Sequence, residues 1–279
     1  MNRYARPQTL DEAVHLLAET GGSVLAGGTD FYPSLGDRPA RGSVVDISRI
    51  REMKGVTATA DEIRIGGLTT WSELLASSLP RCYDGLKSAA REIGGVQIQN
   101  RGTVAGNLCN ASPAADSVPP LLALDAEVEL LSRAGKRRLP LAEFIVGNRK
   151  TQRRRDEILT AVIVPRELDD AASVFLKLGT RRYLVISIVM VAALIKVDSG
   201  RVKETRIAVG ACSARAQRLT RLEQELRGRP AKAGIGATVS LEHVAVLSPI
   251  DDVRATAAYR NEAATTLVGR ALEACVGKG

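Results

Sequence analysis

The chain has 279 residues, 45% of them hydrophobic and 25% charged, with a formal net charge of +8. That supplies apolar material for one large core or two to three small ones. Aromatic residues are only 3%, and the basic runs at residues 136–138 and 149–155 have no interleaved aromatics, so solvated faces or a docking surface for an acidic partner are expected in place of a nucleic-acid site.

Thr9 followed by Glu12 reads as a capping box, and Leu10, Val14 and Leu17 give a helical stripe that ends at Gly21 and Gly22. Residues 23–26 read as a short buried strand running straight into Gly27-Gly28-Thr29-Asp30. A short helix over 31–35 and a strand over 44–47 complete a β–α–β pattern. Residues 56–60 and 63–65 suggest a hairpin around Asp61 and Glu62. Thr70 with Glu73 makes a second capping box, opening a helix over 71–76, and 83–93 has helical spacing. After a glycine-rich stretch, 114–124 reads as helix, 127–131 and 138–139 as strands, and 158–164 as a β-branched strand ended by Pro165. Residues 165–170 are the candidate linker. Beyond it come a strand (174–178), a strand or helix (184–197), a strand (202–210), a helix (216–226), a loop (228–236), a strand or helix edge (244–247) and a final amphipathic helix (260–275).

The chain is organised around residues 94–116, GGVQIQNRGTVAGNLCNASPAAD, which nearly lack charge at their centre. Gly94, Gly95, Gly102 and Gly106 permit positive φ and close backbone approach. Thr103, Asn107, Asn110 and Ser112 offer neutral donors and acceptors, and successive backbone N–H groups in such a loop can form an anion-binding concavity. Composition alone leaves two readings open, a long structural loop or a ligand loop. The turn at 27–30 adds a second Gly/Thr segment about 75 residues away. Facing each other, the two could enclose the pyrophosphate of a large dinucleotide, with Asp30 or Asp116 accepting from ribose or amide groups.

Other chemistries find little support. Cys82, Cys109, Cys212 and Cys275 have no metal-ligand spacing, so neither a structural zinc nor a self-contained iron–sulfur cluster is expected. His15 and His243 lack nearby partners in sequence and read as surface or packing residues. There is no GxxxxGK[ST] loop, no complete GxGxxG fingerprint and no GxSxG elbow. No signal peptide or run of about 18 apolar residues is seen, so a cytoplasmic chain with no membrane insertion is expected.

LAGGTD (25–30), QIQNRGTVAGN (97–107) and ASPAAD (111–116) carry a resemblance, supported by DEIL (156–159), VP (164–165), FLK (175–177) and YR (259–260). In these the sequence resembles the FAD-binding subunit of molybdenum-containing hydroxylases, the xanthine dehydrogenase and aerobic carbon monoxide dehydrogenase family, over essentially the whole chain. The resemblance implies an α+β protein: a two-subdomain FAD-binding fold of the vanillyl-alcohol-oxidase/PCMH type over 1–168 (subdomains about 1–55 and 56–168), then a C-terminal α+β domain of the CO-dehydrogenase-flavoprotein type over 171–279. It implies FAD held by Val24, Leu25, Ala26, Gly27, Gly28, Thr29, Asp30 and Phe31 and by Thr103, Val104, Ala105, Gly106 and Asn107, with backbone N–H groups on the pyrophosphate. Asp116 would sit toward the adenosine side. Ile93, Leu159 and Lys177 would be further contacts, with Lys177 near the flavin carbonyls. Ala105 stands where many relatives carry glycine, so a negative φ is expected there.

The function implied is electron transfer within a complex, from two-iron iron–sulfur clusters on a small partner subunit to NAD+ or another acceptor. A molybdopterin-binding large subunit would oxidise the organic substrate, giving a heterotrimer or a dimer of heterotrimers. Two other readings stay open: a self-sufficient FAD oxidoreductase of the vanillyl-alcohol-oxidase type, and a non-catalytic, flavin-free binding subunit.

Overall fold

The computed structural model describes residues 4–277. Among the described residues three larger sheets follow one another along the chain, with a two-stranded ribbon of Ile145–Gly147 and Lys150–Thr151 beside them. In the first, Val44–Asp46 lies between Tyr4–Ala5 and Ser23–Leu25 and runs parallel to both. The crossover helix Leu10–Thr20 puts Ala13, Val14 and Leu17 into the core, where they meet Val45, Ile47, Ile50 and Met53. Thr9 caps this helix by accepting from the Glu12 N–H at 3.2 Å, but Glu12 reaches back to the N–H of Gln8 instead of Thr9. Gly21 ends the helix at φ +56, a conformation that costs glycine little.

The second sheet orders Val56–Ala58, Glu62–Gly66, Ile158–Pro165, Glu127–Ser132 and Gly135–Pro140, each pair antiparallel. It carries a network of ion pairs. The Glu129 carboxylate, 1% exposed, accepts from Arg64 and from Thr160, each at 2.7 Å, with Lys136 and Arg138 close by. Arg138 also forks onto Glu62, and Arg137 onto Glu157. The basic run at 136–138 is therefore occupied with its own sheet and is not a free docking face. Burial alone would push the Glu129 carboxyl up, but the Thr160 bond and the cations of Arg64 and Lys136 outweigh it and hold it down at about 2. A depressed carboxyl adds stability above the ordinary carboxylate range and loses it as pH falls toward about 2. Glu129→Gln is expected to cost about 1.5–3 kcal/mol at pH 7 and to flatten the loss of stability across that acid window. Urea denaturation at pH 7 and pH 3 measures both.

The third sheet orders Ala172–Leu178, Val189–Asp198, Arg201–Gly210 and Gln217–Arg218, again antiparallel. Its central strand is apolar on both sides for a reason. Val189, Val191, Ala193 and Ile195 join the core beneath the helix Ala257–Val276, while Met190, Ala192 and Leu194 join the core shared with the helices Asp84–Glu92 and Val118–Ala123. Gly85 lets Asp84–Glu92 come down onto Ala172–Leu178: a Cβ there would lie 2.4 Å from the Ser173 hydroxyl, which accepts from the Gly85 N–H.

Several expectations change in detail. Residues 94–116 are not one loop, because Val96–Gln99 and Val104–Asn110 are helical. Of its four glycines named above, only Gly94 takes a positive φ. The strand begins at Val189, not 184, and Gln217–Arg218 pairs as a strand ahead of the helix Thr220–Leu226. Val244 ends the helix Leu241–Val244, and residues 245–246 form a turn after it. Residues 165–170 are not a free linker: Arg166 pairs with Asp169 at 2.7 Å and donates to Thr59, and Ala171 is fully buried.

Candidate functional site

A cleft of about 720 Å³ runs between the first two sheets and is closed on one side by residues 184–186 of the C-terminal part. Its walls are the turn after Ser23–Leu25, the stretch 93–116, Gly67 and Leu68, Glu157, Ile158 and Leu159, and the side chains of Arg149 and Arg153. The two glycine turns meet across it. Gly27 packs so tightly on residues 101–102 that a Cβ would lie 1.9 Å from the Arg101 carbonyl oxygen. Opposite, a Cβ on Gly67 would lie 2.5 Å from the Leu159 carbonyl oxygen. Small residues at these points let three backbone segments converge.

Val24, Ala26, Gly27, Gly28, Thr29, Asp30, Phe31, Ile93, Thr103, Ala105, Gly106, Asn107, Asp116 and Leu159 all line the cleft. Leu25 and Val104 do not; both are buried in the core behind it. The two turns differ in what they offer. The N–H groups of Gly27, Gly28, Thr29, Asp30 and Phe31 donate to nothing within the described residues, and Gly28 sits at φ +79. Such a run of unpaired N–H groups is an anion-binding nest. In the second turn four N–H groups are already committed: Val104 to the Thr69 carbonyl, Ala105 to that of Gly67, Gly106 to the Thr103 hydroxyl and Asn107 to the Thr103 carbonyl, while that of Thr103 donates to nothing within the described residues. Of the second turn, Thr103 therefore keeps a free backbone donor and the four residues after it do not. Thr103 is a helix N-cap, and Ala105 lies inside that helix with no positive φ. What the second turn offers is side chains. Ser117 donates to the Asn107 side-chain Oδ1 at 2.6 Å, leaving the Asn107 side-chain NH2 without a partner among the described residues.

Lys177 does not line the cleft. Its ammonium donates to Asp116 Oδ2 at 2.6 Å, and Ser187 donates to Asp116 Oδ1, also at 2.6 Å, with the side chains of Lys177 and Asp116 only 8% and 7% exposed. Asp116 thus forms the cleft wall and Lys177 stands behind it. Burial raises the Asp116 carboxyl above its ordinary value, and Lys177 and Ser187 offset only part of that.

Sequence reasoning missed Arg149 and Arg153, which sit in a run read as solvated. Arg153 turns inward to the Arg154 and Glu157 carbonyls, and Arg149 donates to Asn110, which donates to Asp30. Their isolation in a charged, aperiodic segment left no signal of orientation. Cys109 also lines the cleft; burial pushes its thiol up to about 11, so it is an apolar wall atom at neutral pH. Leu184, at φ +50, and Ile186 complete the apolar side.

An α+β chain whose separate parts converge on one long cleft beside a run of unpaired backbone N–H groups has the features of a nucleotide-binding protein, and comparison with known proteins narrows it. Residues 1–167 match the model of the FAD binding domain in molybdopterin dehydrogenase, and residues 175–275 that of the CO dehydrogenase flavoprotein C-terminal domain. The xanthine dehydrogenase FAD-binding subunit of Escherichia coli O157:H7 is 32% identical over 278 residues, covering 98% of this chain and 95% of that one. The nicotinate dehydrogenase FAD-subunit of Eubacterium barkeri is 32% identical over 255 residues, covering 88% and 84%. A carbon monoxide dehydrogenase chain from Hydrogenophaga pseudoflava superposes with a TM-score of 0.90 at 27% identity, covering 99% of this chain and 97% of that chain. The chain belongs to the FAD-binding subunits of the molybdenum hydroxylase family and is the flavoprotein subunit of an oxidoreductase. Among the described residues no helix is long and apolar enough to cross a membrane.

Proposed function

We propose that the cleft holds FAD in extended form and that the chain is the electron-transfer subunit between two-iron clusters of a small partner subunit and NAD+ or another acceptor. FAD, when bound, supplies the redox chemistry, taking up electrons singly and releasing them in pairs. The observation that carries this reading is the nest of unpaired N–H groups at residues 27–31, pressed against the second glycine turn. Those donors suit a diphosphate. Asn107 offers a further neutral donor, Arg149 and Arg153 bring positive charge, and Ile93, Leu159, Leu184 and Ile186 provide apolar walls for a flat ring system. The cleft volume of about 720 Å³ lies in the upper part of the roughly 300–1,000 Å³ range of small-molecule sites. The residues present therefore fit the cofactor.

Asp116 serves as a fixed acceptor on the wall, and Lys177 keeps it ionised and oriented. Transfer of electrons asks for no acid or base from the chain, in keeping with the lack of a histidine in the cleft. Residues 1–168 form the cofactor domain and 171–279 the domain that closes the cleft. The organic substrate is oxidised on a molybdopterin-binding large subunit, in a heterotrimer or a dimer of heterotrimers.

The test is direct. Purified alone, the chain is expected to show flavin absorbance bands but no bleaching on addition of the substrate of the complex. Bleaching is expected once both partner subunits are present. Colourless protein that takes up no added FAD would refute the cofactor assignment, and turnover by the isolated chain would refute the electron-transfer role.

A further inference from the structure

Asp30, Asn110 and Arg149 come from three separate segments, and all three line the cleft. The Arg149 guanidinium donates to the Asn110 side-chain oxygen, and the Asn110 amide donates to Asp30 Oδ1 at 3.0 Å. A backbone bond runs alongside: the Arg149 N–H donates to the Ala111 carbonyl at 2.9 Å. Ala111 and Arg149 both have positive φ, +48 and +53. Neither is glycine, so each conformation is disfavoured on its own and persists only where surrounding contacts impose it. Arg149 stands at the tip of the hairpin formed by Ile145–Gly147 and Lys150–Thr151, and Asn110 is the last residue of the helix Val104–Asn110.

We propose that these three residues form a latch on the rim of the cleft that governs how long the bound dinucleotide stays. The inference rests on the reading of the cleft as an FAD site. Three observations favour a latch over a purely structural contact. Asp30 and Arg149 are exposed, and exposed ion-pair chains add little to folding stability, so the bridge opens without unfolding anything. It joins the segment with unpaired N–H groups to the opposite wall, so closing it shortens the path between the two sides of the bound diphosphate. Finally, the backbone bond from the Arg149 N–H to the Ala111 carbonyl holds the hairpin tip beside Asn110, so the three side chains are kept together at the rim. An interaction of this kind acts chiefly on the dissociation rate.

The full chain, loaded with FAD and diluted, releases flavin at a rate followed by the rise in flavin fluorescence. Arg149→Met and Asp30→Ala are each expected to release FAD at least tenfold faster than the unaltered chain. The melting temperature of each cofactor-free variant is expected to stay within about 2 °C of the parent. Release from Arg149→Met at the parental rate overturns the latch. Fast release from Arg149→Met with parental release from Asp30→Ala also overturns it, because Arg149 would then be a lone counter-ion. A large drop in the melting temperature of the cofactor-free variants makes the bridge structural and overturns it too. If the unaltered chain takes up no FAD, the reading of the cleft fails first, and that outcome is visible before any variant is compared.

Discussion

Gly27→Ala is expected to weaken FAD binding at least a hundredfold while leaving the chain folded. The added Cβ would lie 1.9 Å from the Arg101 carbonyl oxygen, 2.7 Å from its carbon and 3.2 Å from the Gly102 Cα. These are backbone atoms and cannot swing aside. They are also anchored, since Arg101 and Gly102 both donate to the Ile98 carbonyl and the Gly102 carbonyl accepts from Trp71. The two turns must therefore part, at the roughly 1–3 kcal/mol typical of overpacking, and the N–H nest is carried away from the opposite wall. Affinity for FAD is expected to fall at least a hundredfold, about 2.7 kcal/mol, with a modest fall in melting temperature. Gly28→Ala is the control. It must bear φ +79 and meets the Tyr32 ring at 2.7 Å, but Tyr32 is 58% exposed and can move. Its effect on FAD affinity is expected to be several-fold smaller. Fluorescence titration with FAD decides the matter: a Gly27→Ala chain that binds like the parent removes the claim that the cleft depends on this contact.

Lys177→Met is expected to be the most destabilising single substitution near the cleft, at about 3–5 kcal/mol at pH 7, because it leaves the Asp116 carboxylate buried without its cation. The pH dependence carries a definite sign. The Asp116 carboxyl is raised by burial in the folded chain, so folding takes up a proton relative to the unfolded chain. Its contribution is most favourable below the ordinary carboxylate range and is lost as pH rises through the raised value. Removing Lys177 raises that carboxyl further and widens the window. The variant should thus recover stability as pH is lowered from 7 toward 5, opposite to the acid limb set by Glu129. Adding Asp116→Asn to Lys177→Met should restore most of the loss, and the double-mutant cycle should give a coupling of about 3 kcal/mol, the upper end of the range for residues in contact. Additive losses, or a Lys177→Met chain as stable as the parent at pH 7, would show that the pair is not a unit.

Much of this architecture could be read from residue order, and the misreadings share a physical origin. The capped helix Trp71–Ala76 appears where Thr70 and Glu73 place it, because both halves of its box are local: Thr70 accepts from the Glu73 N–H and Glu73 from the Thr70 N–H. The glycine turns are visible as composition, and composition also suggests that they face each other across a dinucleotide, an arrangement the resemblance reinforces. What was not legible depends on contacts distant in sequence. Residues 94–116 look like loop because glycine and asparagine dominate, yet the Thr103 cap and the Gly67 and Thr69 carbonyls organise a helix there. Those same partners consume four of the N–H groups that composition suggested were free, leaving that of Thr103. Lys177 and Asp116 each carried the signature of a ligand contact, but the sequence could not reveal that they bind each other 61 positions apart. Arg149 lay in a charged run whose direction is set only by the hairpin beneath it.

The third sheet, apolar on both faces, has a consequence for how the chain can be cut. A fragment ending at residue 168 would strip the cover from Leu86, Ala89, Ala90, Leu121 and Leu122, residues that share one core with Phe175, Met190, Ala192, Leu194 and Ala208. Such a fragment would present a greasy plateau to solvent and should self-associate instead of behaving as a free-standing flavin module. Fusion, swapping or truncation at this seam is therefore a poor engineering choice, and chimeras between relatives should carry the helices Asp84–Glu92 and Val118–Ala123 together with the strands that roof them.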